Sequence, residues 1–391
     1  MRDLDHDLRE MFRLHEADVG GVAFAPAGLR RRVRRRQGRT ILTASLVLAA
    51  LLIGALGIRA SVGDRRRPVV VPPTPPASTM SLRGLGVGFS ADGTRLLTRS
   101  MTNPGGFIYD AHTGELIQTV RGPRSARGQK NTGMLNAFGP NSDLFVFARG
   151  DPGPITTWVM DATTGRARWR FHDACCVATF SADGHYLAAP CCLVGTRVYD
   201  LETGERVNDF PACCVVAFSP DSQRILITVG TDEPGDVVGY VWDVHRHGRG
   251  GPTLTLHGPG GANIAMASAA WSPDGSMIAL VADGSDPHGG RAVMVFDART
   301  GERMFTIRPM TNALSVAFAP DSSRFAVGGK RGLVTVWEIS PSSSSPVLTL
   351  HTHETEVPTI AFSPDGRQLM TGGVAENETK IWDLASLSFP R

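Results

Sequence analysis

The sequence lacks the short motifs by which many enzymes are recognised. It contains no Gly-x-Ser-x-Gly elbow, no Gly-x-x-x-x-Gly-Lys-Ser/Thr phosphate loop and no His-Glu-x-x-His zinc motif. These patterns supply a positioned nucleophile, a cradle for phosphates or a pair of metal ligands. Their absence removes support for those enzyme classes, so we expect no catalytic residue, no metal and no cofactor in this chain.

Two residue types are scarce. Only three lysines stand beside 37 arginines, which is typical of a high-GC bacterial source. The six cysteines lie between residues 175 and 214 and form no Cys-x-x-Cys pair, which disfavours a structural zinc site. A basic excess is also missing from residues 68–391, which hold 26 Lys+Arg against 30 Asp+Glu. Binding of nucleic acid through its phosphates therefore has little support, and none is expected.

The basic residues are concentrated ahead of an apolar segment. Residues 40–58 carry no charge and would form a helix of about 28 Å, close to the thickness of a bilayer's hydrocarbon core. Four arginines follow this segment and seven precede it: Arg30, Arg31, Arg32, Arg34, Arg35, Arg36 and Arg39. By the positive-inside rule the N-terminus is expected in the cytoplasm and the rest of the chain outside. A cleaved signal peptide is the alternative, although its charged region is normally short.

The chain therefore divides into four predicted regions. Residues 1–39 form a cytoplasmic segment with an amphipathic helix and the arginine cluster, and residues 40–58 form a transmembrane helix in the lipid bilayer. Residues 59–79 are rich in proline and favour an extended polyproline II spacer. Residues 80–391 contain a repeat.

The repeated unit has an aromatic residue followed by Ser-Pro-Asp-Gly or a close variant, which suits a tight turn between two strands. Seven units occur, with the aromatic residues Phe89, Phe138, Phe180, Phe218, Trp271, Phe318 and Phe362. A third strand ends about twenty residues later on a step such as Trp382-Asp383. Four-stranded units of this length cannot bury both faces alone, so they are expected to pack radially.

The clearest copy, "FSPDGRQLMTGGVAENETKIWDLAS", resembles the WD-repeat β-propeller family, and "AAWSPDGSMIALVADG" is similar to related periplasmic propeller repeats. The resemblance implies an all-β, seven-bladed propeller over residues 80–391, preceded by the transmembrane helix and the cytoplasmic segment. The Gly-His step of the family is missing, and Thr352-His353 is one of its nearest remnants. The family's histidine-aspartate network is therefore not expected in its usual form. Two segments could supply the outer strand of the last unit and close the ring, namely "ASLSFPR" at the C-terminal end and "STMSLRG" ahead of the first unit, and we favour the second.

Two sets of polar side chains have the look of ligands, but each has a structural interpretation. The repeated Asp is explained by the geometry of the turns. His351 and His353 have the spacing of two metal ligands on one strand face. A pair alone is a weak signal, so both are interpreted as solvated loop histidines.

The candidate site consists of three cysteine doublets: Cys175, Cys176, Cys191, Cys192, Cys213 and Cys214. The first and third doublets open innermost strands of adjacent units, and a hairpin brings the second back beside the first. All six are therefore expected near one rim. Three interpretations stay open, namely packing of free thiols, disulfide bonds (above all between the first and second doublets) and a metal site.

Two functions are compatible with this sequence. The first is a membrane-tethered, non-catalytic scaffold or sensor whose rim loops bind an unidentified protein or peptide. The second is an exported enzyme or small-ligand-binding propeller with a site over the central channel, which needs converging polar side chains at the inner rim. The inner strands begin mostly with Ala, Leu, Val, Met and Cys, which favours the scaffold.

Overall fold

The computed structural model describes residues 79–387 except for 103–104, 123–133, 141–142, 150–155, 173–177, 192–194, 213–214, 230–235, 247–249, 259–267, 284–289, 309–311 and 340–345. This part of the chain contains 28 β-strands, β1 to β28 in chain order, and one 3-10 helix, Leu384–Ser386. The predicted transmembrane helix, the arginine cluster and the linker up to residue 78 lie outside the described residues. None of the described residues belongs to a helix with the length and apolar character that a membrane crossing requires.

The strands form seven antiparallel four-stranded sheets, named blades 1 to 7 in chain order. Blades 1 and 2 consist of β2 (Leu85–Phe89), β3 (Arg95–Arg99), β4 (Gly105–Asp110), β5 (Leu116–Arg121), β6 (Met134–Phe138), β7 (Leu144–Arg149), β8 (Thr156–Asp161) and β9 (Ala167–His172). Blades 3 and 4 consist of β10 (Thr179–Phe180), β11 (Tyr186–Cys191), β12 (Gly195–Asp200), β13 (Arg206–Phe210), β14 (Val216–Phe218), β15 (Arg224–Thr228), β16 (Val237–Asp243) and β17 (Leu254–His257). Blades 5 and 6 consist of β18 (Ala269–Trp271), β19 (Met277–Asp283), β20 (Arg291–Asp297), β21 (Arg303–Ile307), β22 (Ala313–Phe318), β23 (Arg324–Gly329), β24 (Leu333–Glu338) and β25 (Leu348–His351). Blade 7 consists of β26 (Thr359–Phe362), β27 (Gln368–Gly373), β28 (Glu378–Asp383) and β1 (Met80–Arg83).

The blades form a closed ring around their first strands. The first strands of successive blades contact one another, and β26 of blade 7 contacts β2 of blade 1. Blade 7 is completed by β1, in which Met80 lies opposite Ile381 and Arg83 lies opposite Glu378. The predicted all-β, seven-bladed propeller is confirmed, and so is its closure by the N-terminal segment.

The turn between the first and second strands is held by its own serine and aspartate. In blade 5, Ser272 Oγ donates to Asp274 Oδ1 at 2.6 Å and accepts from the N–H of Met277 at 2.8 Å. Asp274 Oδ1 also accepts from the Ser276 N–H at 3.0 Å. The same arrangement recurs in blades 1, 3, 4 and 7. The interpretation of the repeated Asp as a turn residue is confirmed.

A second turn follows the third strand. In blade 2, Asp161 Oδ1 accepts from the N–H groups of Thr163 and Thr164 at 3.0 and 2.6 Å. In four blades the fourth strand then carries one extra residue against the third, which is a β-bulge. The bulged residue can face outward, since Ile117 is 51% and Met304 47% exposed.

The core lies between the faces of neighbouring blades. Each blade is covered on both sides, so residues pointing to either face of its middle strands are buried. Phe145, Phe147, Phe296 and Phe325 are fully buried, and Phe296 and Phe325 belong to a cluster that joins blades 4, 5 and 6. Burial of one such phenylalanine side chain stabilises the fold by roughly 1.5–3 kcal/mol. The packed blades therefore form a rigid support for the loops of the propeller.

Candidate interaction surface

The two rims of the ring are built differently. The turn rim carries the Ser-x-Asp turns and the turns after the third strands, and the chain enters it at Thr79. The loop rim is opposite and carries the connections between second and third strands and between blades. Its described segments include residues 100–102, 330–332, 352–358 and 374–377. Loops on a rigid scaffold are the usual carriers of binding.

The turn aspartates of this rim, such as Asp92 and Asp297, are engaged in the turns themselves. The hydrogen bond from the Ser90 hydroxyl is the main cause that lowers the pKa of Asp92. The backbone N–H of Thr300 does the same for the pKa of Asp297. These groups are ionised and stabilise the turns, which leaves them poorly suited to exchange protons with a substrate.

A cleft of about 500 Å³ opens on the turn rim between blades 7 and 1, and its lining includes Asp92, Asp365 and Asp383. Asp365 accepts from Ser363 Oγ at 2.5 Å, and Asp383 accepts from the Ala385 N–H at 2.9 Å. The carboxylates are thus held by the protein. Across the described residues, no group of three or more His, Cys, Asp or Glu side chains could hold a metal ion.

The loop rim instead exposes apolar side chains. Met101 is 44% and Val374 37% exposed, and they belong to neighbouring loops of blades 1 and 7. The two loops are joined because the Met101 N–H donates to Asn377 Oδ1 at 3.2 Å, and the Asn377 N–H donates to the Val374 carbonyl at 3.2 Å. The Asn377 side chain therefore joins the two loops and holds both apolar residues on one side of the ring.

Charged residues of both signs lie on the same rim. Glu354 is exposed, and its N–H donates to Glu376 Oε1 at 2.6 Å, so the 352–358 loop is attached to the turn that carries Val374. In the same loop Glu356 lies 3.6 Å from Lys330 Nζ, with both side chains about half exposed. An apolar centre with a polar border is the usual composition of a protein contact.

A buried polar network supports these loops from below. His353 is only 8% exposed, and its Nε2 lies 3.0 Å from Thr371 Oγ1. Trp382 Nε1 donates to the same hydroxyl at 2.9 Å. Burial lowers the pKa of His353, so the ring is neutral near pH 7. The interpretation of His353 as a solvated loop histidine is wrong, because the loop folds inward to reach the hydroxyl of β27.

The sequence missed this network, although a signal for it was present. Thr352-His353 precedes Trp382-Asp383 within a single repeat, which is the position of the family's Gly-His step. The acidic residue of the family's histidine-aspartate network is altered in this chain. Glu376 occupies the turn between β27 and β28 and accepts a hydrogen bond from the backbone N–H of Glu354. Burial raises the pKa of Glu376, but that backbone hydrogen bond and others outweigh it and leave the pKa lowered.

The inner wall of the ring is apolar or neutral. As the structure describes them, the seven innermost strands β2, β6, β10, β14, β18, β22 and β26 contain no Asp, Glu, Lys, Arg or His. A site for a charged substrate over the channel would draw on such side chains. The described strands therefore do not supply the converging charged groups that the alternative function needs.

The predicted cysteine site lies almost entirely outside the described residues. Only Cys191 falls within a strand, as the last residue of β11, where it pairs with Gly195. The state of the six thiols stays a prediction. Intact mass after alkylation with and without reduction checks it, and six alkylated thiols in unreduced protein would rule out disulfides.

Comparison with known proteins adds a family to this geometry. Residues 344–383, which end with β28, match the family described as "WD domain, G-beta repeat". This segment is therefore similar to a WD repeat. It contains His353, Thr371 and Trp382, so the buried network lies within the matched segment.

Curated relatives and a solved structure agree with the WD-repeat propeller. Mitotic checkpoint protein bub-3 of Caenorhabditis elegans is 34% identical over 67 residues, covering 17% of this chain and 19% of the relative. WD repeat-containing protein slp1 of Schizosaccharomyces pombe is 28% identical over 188 residues, covering 48% of this chain and 36% of the relative. A chain from the crystal structure of the mitotic checkpoint complex superposes with a TM-score of 0.62 at 15% identity, over 84% of this chain and 99% of that one.

These matches support the WD-repeat family and the seven-bladed fold. This chain spans well under half the length of the two curated relatives, and the solved structure is too distant in sequence to indicate more than the fold. The relatives are eukaryotic and do not support the bacterial source that the composition indicates. They are also silent on the membrane anchor.

Proposed function

We propose that this chain is a non-catalytic scaffold that binds a protein or peptide on the loop rim of its WD-repeat propeller, and that residues 40–58 tether it to a membrane with the propeller on the extracytoplasmic side. The observation that carries the binding surface is the exposure of Met101 and Val374 on two loops that a hydrogen bond joins. Exposed apolar residues with a polar border on a rigid ring favour a partner protein over a small molecule.

The contrast between the rims supports this choice. On the turn rim the turn aspartates are engaged in hydrogen bonds of the turns, and in the described innermost strands no charged side chain is present. An enzyme remains the second candidate, but no described constellation of side chains favours it.

The binding surface is tested by charge insertion. Full-length protein carrying M101E/V374E is compared with wild type for proteins captured from detergent-solubilised membranes. The matched control is I117E/M304E, which places the same charges at exposed apolar positions on the outer strands of blades 1 and 5. The proposal expects partners that are retained by the control and lost by M101E/V374E. Equal retention by both variants would show that the loop rim is not the binding surface.

The tether is tested separately. Deletion of residues 40–58 is expected to move the protein from the carbonate-washed membrane fraction to the soluble fraction, because the deletion removes the apolar segment. Added protease is expected to digest the propeller in intact spheroplasts. Protection in spheroplasts together with digestion after lysis would contradict the proposed orientation.

A further inference from the structure

The outer strand of blade 2 differs from those of the other blades in its charge. β9 is the edge strand of its sheet, and its sequence ARWRFH exposes Arg168 and Arg170. Arg166, in the turn just before β9, is exposed as well. The corresponding turn positions in blades 1, 3 and 5 carry glutamate, at Glu115, Glu205 and Glu302. Blade 2 therefore reverses the sign of charge at this position, within a body that is acidic overall.

Packing determines which side of β9 is open. Trp169 Nε1 donates to the Leu201 carbonyl of blade 3 at 2.9 Å, and the Phe171 ring stacks on Tyr199 of blade 3 at 4.0 Å between centroids. Side chains alternate along a strand, so Arg170 between these two aromatics points to the opposite face. Arg168 is the extra residue of the β-bulge against β8, which turns it outward.

The arginines have no competing acid in the described part of the chain. No carboxylate there lies within ion-pair distance of Arg166, Arg168 or Arg170. Asp161, which Arg168 influences electrostatically, already accepts from the backbone of Thr164. The Arg170 guanidinium lies 5.7 Å from the centre of the Trp158 ring, which holds it over an aromatic face while leaving it exposed.

The backbone at the end of β9 is accessible to a hydrogen-bond donor from outside its sheet. Arg197 of blade 3 donates to the His172 carbonyl at 3.4 Å, at the last residue of the strand. No other strand in the described residues pairs with this edge. An edge strand with outward backbone groups is a template for a further strand.

We propose that the edge of β9 binds an extended acidic segment of a partner protein, which adds to blade 2 as a fifth strand. Side chains on one face of a strand repeat at about 6.8 Å, so carboxylates at alternate positions of the segment would meet Arg168 and Arg170. Guanidinium groups bind carboxylates with paired hydrogen bonds, and backbone pairing supplies the remaining affinity. This inference rests on the proposed scaffold function and adds a second contact, away from the loop rim.

The test uses a fluorescein-labelled peptide, Thr-Glu-Val-Glu-Val-Glu-Thr, and the full chain in detergent. Wild type is expected to bind the peptide, and R168E/R170E is expected to weaken the Kd about tenfold or more, because two attractive contacts become repulsive. The control M304E/T306E places glutamates on β21 of blade 5, the first of them also at a bulged position, and is expected to leave the Kd within twofold. Amide hydrogen exchange is expected to slow in residues 167–172 when the peptide is bound.

Other outcomes overturn the proposal. Absence of peptide binding by wild type, or an equal loss in both variants, would show that β9 is not the site. Binding without protection of residues 167–172 would mean that no strand is added. If wild type bound phosphatidylserine vesicles but not the peptide, and R168E/R170E bound neither, the arginines would be assigned to a lipid surface. The M101E/V374E variant is expected to bind the peptide normally, so a failed loop rim and a failed β9 site are distinguishable.

Discussion

Blades 7 and 4 have a tryptophan at the same position of the third strand, but the two indole N–H groups differ in their hydrogen bonding. Trp382 lies opposite Leu369, and its Nε1 donates to Thr371 Oγ1 at 2.9 Å, where His353 also bonds. Trp242 lies opposite Ile225, but the residue two further along β15 is Ile227. The Nε1 of Trp242 is buried and has no hydrogen-bond partner among the described residues.

The tryptophan of blade 4 therefore contributes packing alone among the described residues, whereas that of blade 7 also contributes a hydrogen bond. Trp242 has the Phe210 ring at 5.5 Å and the Tyr240 ring at 6.2 Å, so it is surrounded by aromatic contacts. Trp337 of blade 6 shows an intermediate case, because its Nε1 donates to Thr335 Oγ1 on its own strand. The polar network of blade 7 is thus a local feature, placed beneath the exposed loop rim.

The largest expected effect comes from removing the shared hydroxyl of blade 7. Thr371→Val keeps the shape of the side chain but leaves the Trp382 N–H without its acceptor and weakens the His353 contact. We expect a loss of about 2–3 kcal/mol in the free energy of unfolding. Denaturant titration of the full chain measures it. The control Thr335→Val breaks one hydrogen bond and is expected to lower the free energy of unfolding by about half as much. Equal losses would show that the hydroxyl of blade 7 contributes no more than that of blade 6.

A smaller effect is expected from pH. Burial lowers the pKa of His353 in the folded chain, so the unfolded chain binds this proton more readily. The stability that the neutral ring contributes is present above about pH 6.5 and is lost as the pH falls below that value, by up to about 1.4 kcal/mol per pH unit. Titrations between pH 7.5 and about 5 are expected to show this slope in wild type and a shallower slope in His353→Gln. Identical slopes in wild type and His353→Gln would show that protonation of His353 does not affect stability.

The two tryptophans are compared directly by the same substitution. Trp382→Phe loses volume and a hydrogen bond, whereas Trp242→Phe loses similar volume and removes an N–H that lacks a partner. We expect Trp382→Phe to cost about 1 kcal/mol more in the free energy of unfolding. A larger cost for Trp242→Phe would mean that its N–H is bonded in solution.

The smallest effect is a gain of coupling in blade 4. Ile227→Thr offers Trp242 the kind of acceptor that Thr371 provides in blade 7. The substitution itself is expected to destabilise, but a double-mutant cycle with Trp242→Phe is expected to show a favourable coupling of about 0.5 kcal/mol. Zero coupling would show that the backbone of blade 4 does not bring the two side chains together.

The sequence predicted much of this fold because its signals are local. A Ser-x-Asp turn is completed within five residues, as between Ser272 and Met277. Five such turns and two close variants, each after an aromatic residue, indicate seven hairpins. The sequence left two candidates for the closing strand, "ASLSFPR" after Leu384 and "STMSLRG" before the first unit, and the pairing of β1 with β28 selects the second. The burial of His353 was missed because its partner lies on β27, distant in the sequence, and because the local signal, Thr352-His353, departs from the family's Gly-His step.

The number of blades and the chemistry of the turns could be predicted from the sequence, because both depend on contacts between residues close in the chain. The choice of closing strand and the exposure of particular side chains required the folded ring. Met101 precedes Asn377 by 276 residues in the sequence. The loops that carry Met101 and Val374 are neighbours only because β1 joins the two ends of the ring. Arg168 and Arg170 face outward because Trp169 and Phe171 pack against blade 3. Exposure follows from which surfaces the neighbouring blades cover, and that is settled only when the ring has closed.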